Sequence, residues 1–295
     1  MFDIHSRCGI TYYTSSVLEK AGVPHFFATR FGGVSFGDFE SLNVSLTRKD
    51  RDGNTDSPAN VLENYRRALC IIGSEPEKAF APRQIHSSDV ECITSKNAGF
   101  GVLPIKKNEI GFDGAVVRYG TQNVDTACVK TADCVPILLA DKKTGDVAAV
   151  HAGWRGTVGD IVSHAVQKLA GDPADIVCAI GPCIGVCCYE VGEEVYSAAK
   201  MLFYKKGIDD KLSLAFKAVA ECSVSQKRYA DLAKINQLLL AACGVKPENI
   251  DVSGLCTCCA LDEYKRPLFF SHRASGGFSG TFVSAVKTFE PEKQL

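Results

Sequence analysis

The chain has 295 residues, 46% apolar and 23% charged, and its 33 basic and 34 acidic side chains leave a formal net charge of −1. That balance excludes a disordered chain, which buries too little apolar surface, and a nucleic-acid binder, which needs a Lys/Arg excess to neutralise phosphates. The longest clean apolar run, Val135–Ala140, is about a third of the roughly 20 residues of a spanning helix, so no membrane segment is expected. The start, Met1-Phe2-Asp3-Ile4-His5, lacks the basic-then-apolar order of a secretory signal. The 14 cysteines therefore read as free thiols of a reducing, cytoplasmic compartment, some of them candidate metal ligands.

In chain order, strand-like Pro24–Thr29 is followed by a polar surface loop, Thr47 to Asn60, that ends at a helix start. Ser57 is placed to cap, Pro58 suits the first helical position, and Val61, Leu62, Tyr65 and Leu69 recur at helical spacing until Gly73. Strands are expected at Asp89–Thr94, Gly114–Arg118, Asp125–Val129, Val135–Asp141 and Asp146–Val150. A helix from Thr157 to about Ala170 follows, with Thr157 and Asp160 as a capping pair, then a strand at Ile176–Ile180. Glu190, Glu193 and Glu194 suit a helix start, and Lys205-Lys206 suits solvated surface. A helix over Lys227–Cys243, strands at Ile250–Leu255 and Leu268–Ser271, and a weak helix at Phe278–Thr288 complete the chain. Strands succeed one another without helices through the middle, so one mixed α/β (α+β) domain over 1–295 is expected, with largely antiparallel sheets covered by helices.

The middle hairpin carries the chemistry. Lys142-Lys143-Thr144-Gly145 makes a tight connection, and pairing Asp141 with Asp146 sets Pro136 opposite His151. Cys134 then lies one step beyond, at the same open end as His151. A thiol and an imidazole so placed form a metal-ligand pair or a nucleophile–base pair. Ala152-Gly153-Trp154-Arg155-Gly156 then leads into a helix start, where N–H groups and Arg155 favour an anion.

Six ordered blocks carry a family resemblance. They are Gln84-Ile85-His86-Ser87-Ser88-Asp89-Val90, Thr131-Ala132-Asp133-Cys134-Val135-Pro136, His151-Ala152-Gly153-Trp154-Arg155-Gly156, Ile180-Gly181-Pro182-Cys183-Ile184-Gly185, Tyr189-Glu190-Val191-Gly192 and Phe269-Phe270-Ser271-His272-Arg273. Ala28-Thr29-Arg30, Ser41-Leu42-Asn43 and Cys256-Thr257 also fit. The chain resembles the laccase-domain family, described as multicopper polyphenol oxidases and associated with purine nucleoside phosphorylase, adenosine deaminase and methylthioadenosine phosphorylase activities. The resemblance implies an α-β-β-α layered fold similar to the catalytic domain of cytotoxic necrotizing factors. It also implies a zinc site on His86, Cys134 and His151, with nucleoside and phosphate as small-molecule partners. Adenosine, inosine or guanosine, and methylthioadenosine are the expected substrates. Arg155 is the first candidate phosphate contact, with Arg30, Arg273 and Asn43 as further substrate contacts, and Asp133 is an acid/base group or an anchor. Many relatives carry a second arginine where Ala274 stands and another where Thr281 stands.

Two other chemistries compete. A Cys/His hydrolase, similar to the necrotizing-factor deamidases, would use Cys134 as nucleophile and His151 as base. A copper polyphenol oxidase needs many His ligands, and only six histidines exist, so copper ranks below zinc. Cys183, Cys187 and Cys188 read as C-x-x-x-C-C and Cys256, Cys258 and Cys259 as C-x-C-C. Without zinc-ribbon spacing, these are expected to be ordinary buried thiols rather than a second soft-metal site.

Overall fold

The computed structural model describes residues 1–106, 111–218 and 228–291. Two six-stranded sheets dominate it. From edge to edge, the first comprises Phe2–Arg7, Ile10–Ser15, His25–Ala28, Phe282–Lys287, Thr126–Thr131 and Ala79–Phe80. The second comprises Ile250–Val252, Ile176–Ile180, Val135–Asp141, Val147–Ala152, Gly114–Val117 and Val90–Ile93. Inner pairings are antiparallel, and among the described strands of these two sheets parallel pairs occur where Ala79–Phe80, Ile250–Val252 and Val90–Ile93 join as edge strands. A small third sheet joins Glu190–Val191, Arg228–Ala230 and Phe216–Ala218.

Three apolar clusters produce the layering. Helix Pro58–Cys70 contributes Val61, Tyr65 and Leu69 to a core shared with Phe26 and Ala285 of the first sheet. Between the sheets, Phe27, Phe80 and Val129 share a core with Leu138, Ala149 and Val177. Beyond the second sheet, Ile137, Leu139 and Val150 meet Ile161 and Leu169 of helix Ile161–Leu169 and Ile235 and Leu239 of helix Leu232–Ala242. The order is helix, sheet, sheet, helix, which is the expected mixed fold. Every residue of Val135–Asp141 is buried because its alternate side chains enter different cores, which explains its unbroken apolar run. Truncating Leu138 to Ala there costs roughly 2–5 kcal/mol.

The hairpin register is as expected, with Pro136 opposite His151. Gly145 adopts a left-handed φ of 74°, and the Asp141 carboxylate accepts from the Lys143 and Thr144 amides, which closes the turn. Ser57 caps its helix by accepting from the Ala59 amide.

Five expectations need correction. Phe278–Thr288 is not a helix: Phe282–Lys287 is an inner strand paired on both sides, and burial on both faces removes the alternation that marks strands. Leu268–Ser271 is not a strand, and Phe269 and Phe270 instead plug the inter-sheet core. The helix after His151 is broken in two, Trp154–Val158 and Ile161–Leu169. A Cβ on Gly159 would meet Ser88 at 2.8 Å, and Asp160 turns left-handed at φ 64°, so Thr157 is no cap; it is buried and accepts from Asn236. Lys206 is not simply solvated, since it pairs with Asp160 and donates to Ser163. The third helix starts only at Leu232, capped by Asp231 accepting from the Lys234 amide, and Lys227 lies outside the described residues.

Candidate active site

Cys134 precedes strand Val135–Asp141 and His151 lies in Val147–Ala152, so the register brings both to one end of the second sheet. His86 arrives on the loop before Val90–Ile93. Its Nε2 lies 3.9 Å from Cys134 Sγ, and its ring meets that of His151 edge-on at 5.0 Å between centroids. The three candidate ligand atoms lie within 4.8 Å of one another, with His86 exposed, Cys134 half-buried and His151 buried, so the cluster opens outward on the His86 side. Gly153 closes over it: a Cβ there would stand 3.0 Å from His86 Cδ2 and 3.2 Å from Cys134 Sγ.

Asp113 organises the cluster, and no motif announced it. This fully buried residue accepts on its carboxylate from the amides of Ile85, His86 and Ser87 at 3.1, 3.0 and 2.7 Å, and from the Ser87 hydroxyl. It also accepts from His151 Nδ1 at 2.8 Å. A carboxylate can only accept, so Nδ1 carries the proton and Nε2 is left facing the cluster. Burial pushes the Asp113 carboxyl up, but the bond and charge of His151 and the Ser87 donors hold it below the usual range. The only sequence signal was a lone acid at a strand start, 27 residues beyond His86.

Burial likewise pushes the Cys134 thiol up, yet the two imidazoles outweigh it and bring it down to about 6. Burial lowers His151, but the thiolate and Asp113 carry it up to about 9. Without a metal the two groups thus favour each other's charged forms, thiolate and imidazolium.

The other expected residues separate into rim and scaffold. Asp133 has a left-handed φ of 99°, an arrangement costing of order 1–3 kcal/mol unless the surroundings enforce it. They do: its carboxylate accepts from the Thr257 hydroxyl and the Arg273 amide, both at 2.7 Å, and its carbonyl from the Ile184 amide. Arg155 is exposed, with its guanidinium 4.4 Å over the Trp154 ring. Arg273 donates to the carbonyls of Cys188 and Glu190 and lies 5.4 Å over the Tyr189 ring. Tyr189, which residue-type reasoning did not single out, is pushed up to about 12, chiefly by burial and then by Cys134, while Arg273 and Arg155 oppose.

Arg30 and Asn43 are not brought to this rim. Arg30 donates twice to the Glu40 carbonyl and lies over Phe270. Asn43 is fully buried, donating to Ser45 and Asp56 and accepting from the Ser45 and Thr281 amides, which leaves no group for a substrate. Asn43 is thereby occupied in holding its loop, while Arg30 is held at the Glu40 carbonyl. The four histidines outside the cluster also have separate partners: His5 with Thr14, His25 with Ser15 and Val23, His164 with the Ser88 carbonyl and His272 with Arg48.

Residues 24–288 match the family described as multi-copper polyphenol oxidoreductase laccase. The chain belongs to that family. This laccase-family chain is 33% identical over 287 residues to purine nucleoside phosphorylase YlmD of Geobacillus stearothermophilus, covering 95% of this chain and 93% of that one. It is 33% identical over 234 residues to adenosine deaminase RL5 from an unknown prokaryotic organism, covering 78% and 83% of the two chains. The crystal structure of the Bacillus licheniformis protein YfiH superposes with a TM-score of 0.82 at 27% identity, over 97% of this chain and 99% of that one. No described helix is long and apolar enough to cross a membrane.

Proposed function

We propose that this laccase-family protein is a zinc-dependent purine nucleoside phosphorylase with accompanying adenosine deaminase activity at the same centre. The convergence of His86, Cys134 and His151 carries the reading. Two imidazoles and a thiol fit zinc: three N/S protein donors leave a position open, as catalytic zinc sites do. The orientation of His151 by Asp113 is the outer-shell bond such ligands have. Zinc is favoured over several coppers because the remaining histidines form no second cluster among the described residues. When bound, zinc supplies Lewis acidity and acidifies water towards neutrality.

The chain's own groups supply the rest. Arg155, over Trp154, and Arg273, over Tyr189, are exposed residues suited to hold phosphate for attack on the anomeric carbon. The half-buried ring of Tyr189 gives a purine an aromatic neighbour. Engagement of both Asp133 oxygens supports an anchoring role, fixing Cys134 and the Arg273 backbone, over proton transfer.

The test measures metal content and adenosine turnover with and without phosphate, with products separated by chromatography. Adenine formed only with phosphate supports phosphorolysis, and inosine formed regardless of phosphate supports deamination at the same centre. Cys134→Ala is expected to lose this metal and both activities while keeping the fold. Full activity in that variant overturns the site.

The metal-free thiolate–imidazolium pair favours a second reading, a hydrolase with Cys134 as nucleophile and His151 as base. A purified protein that takes up no zinc and turns over no nucleoside would select it.

A further inference from the structure

A second group of donors lies behind the rim. The sulfurs of Cys187, Cys188, Cys256 and Cys259 all lie within 4.8 Å of one another, with Cys187 and Cys259 at 3.6 Å. Buried inert thiols do not describe them, since Cys187 and Cys259 are exposed. The sequence expectation fails because Cys258 obscures the pattern: omitting it leaves Cys256-Thr257-Cys258-Cys259 as a C-x-x-C pair, the ligand spacing of closed zinc sites.

From these observations we infer that Cys187, Cys188, Cys256 and Cys259 form a second metal site, a closed four-thiolate zinc centre distinct from the cluster at His86. Four sulfurs at about 2.3 Å from a zinc ion stand roughly 3.8 Å apart, so the Cys187–Cys259 separation already matches an edge of the tetrahedron. The backbone is shaped for it. Two tight turns present the pairs, closed by the Tyr189 amide donating to the Gly185 carbonyl and the Ala260 amide to the Cys256 carbonyl. The turns are registered by a parallel bridge between Cys183 and Cys256. The Gly185 amide donates to Cys256 Sγ at 3.2 Å, the direction a thiolate accepts. A Cβ on Gly185 would stand 3.3 Å from Cys187 Sγ and 3.2 Å from Cys256 Cβ, so glycine lets the turn close on the sulfurs.

Binding releases the thiol protons, and the ion then joins two segments far apart in sequence. The first ends in the Cys188 and Glu190 carbonyls that hold Arg273, and the second carries Thr257, whose hydroxyl holds Asp133 beside Cys134. The centre is structural, a clip under the rim rather than a reacting site.

The test uses His86→Ala/His151→Ala protein, which removes the other centre, and measures zinc by mass spectrometry after dialysis. About one equivalent is expected to remain, and to disappear when Cys187→Ser and Cys259→Ser are added. Equal zinc in the two proteins overturns the inference. Because those serine variants put folding at risk, native unmodified protein is also alkylated before and after chelation. Cys187 and Cys259 should resist reagent until zinc is withdrawn, while exposed Cys92 reacts throughout. Labelling of Cys187 and Cys259 at the Cys92 rate in zinc-loaded protein, or a Cys187–Cys259 disulfide in non-reducing peptide maps, overturns it. Zinc lost from the His86 cluster while the thiols stay protected would defeat the proposed function and leave this centre standing.

Discussion

Asp113 and His151 are joined twice: the His151 amide donates to the Asp113 carbonyl at 2.7 Å, and His151 Nδ1 donates to the Asp113 carboxylate at 2.8 Å. The same carboxylate gathers three successive amides around His86, so one acid fixes two of the three candidate ligands. Asp113→Asn keeps the shape but puts donors where only acceptors fit. Zinc affinity is expected to fall roughly 10–100-fold, with a lowered Tm, measured by competition with a chromophoric chelator and by thermal unfolding. Unchanged affinity would show that Asp113 is only structural.

Gly153→Ala tests how closely the backbone covers the cluster. The new methyl would sit 3.0 Å from the His86 ring and 3.2 Å from Cys134 Sγ, displacing donors by a few tenths of an ångström. Metal affinity and nucleoside turnover are expected to fall about tenfold or more, while Tm shifts by only a few degrees. A wild-type rate with full zinc would mean that the cluster does not work as a metal centre.

In metal-stripped protein, Cys134 should react with iodoacetamide along a titration centred near 6. The thiol is lowered from its ordinary range, so labelling is fast above that pH and dies away as pH falls through it. Added zinc should block labelling at every pH. A midpoint near the ordinary thiol value of about 8.5 would remove the thiolate–imidazolium pair.

His25 gives a pH effect remote from the centre. Its Nε2 accepts from the Ser15 amide and its Nδ1 donates to the Val23 carbonyl, and burial lowers its pKa to about 4. The unfolded chain binds this proton near pH 6.5 and the folded chain only near 4, so the contribution is present above 6.5 and lost as pH falls towards 4. It amounts to roughly 3 kcal/mol. Denaturant titrations from pH 7 to 4 should show that loss in the parent and a correspondingly smaller one in His25→Gln. Equal slopes would assign the acid sensitivity elsewhere.

What the sequence revealed follows from which interactions are local. The hairpin of Val135–Asp141 and Val147–Ala152 is a near-neighbour pairing with a distinctive turn, so its register and the meeting of Cys134 with His151 could be read directly. His86 reached the cluster only through family resemblance, since its placement depends on Asp113 and on amide bonds that leave no trace in residue type. Phe282–Lys287 was misread because a strand buried on both faces loses the alternation that identifies it. Asn43 and Arg30 fall in segments that fit the family, yet buried hydrogen bonds engage Asn43 and a carbonyl engages Arg30. A motif therefore does not separate substrate contacts from the scaffold that shapes a loop.

The metal-binding candidates and their neighbours belong to different kinds of structure. Cys134 and His151 stand at the end of an inner hairpin held by two cores, whereas Arg155, His272 and Arg273 project from short helices with exposed side chains. The first group is held in place by the sheet, while the side chains of the second are set by short segments at the surface. Such a protein can change its clientele without rewriting its chemistry, because drift in the exposed turns leaves the donor atoms where the hairpin fixes them.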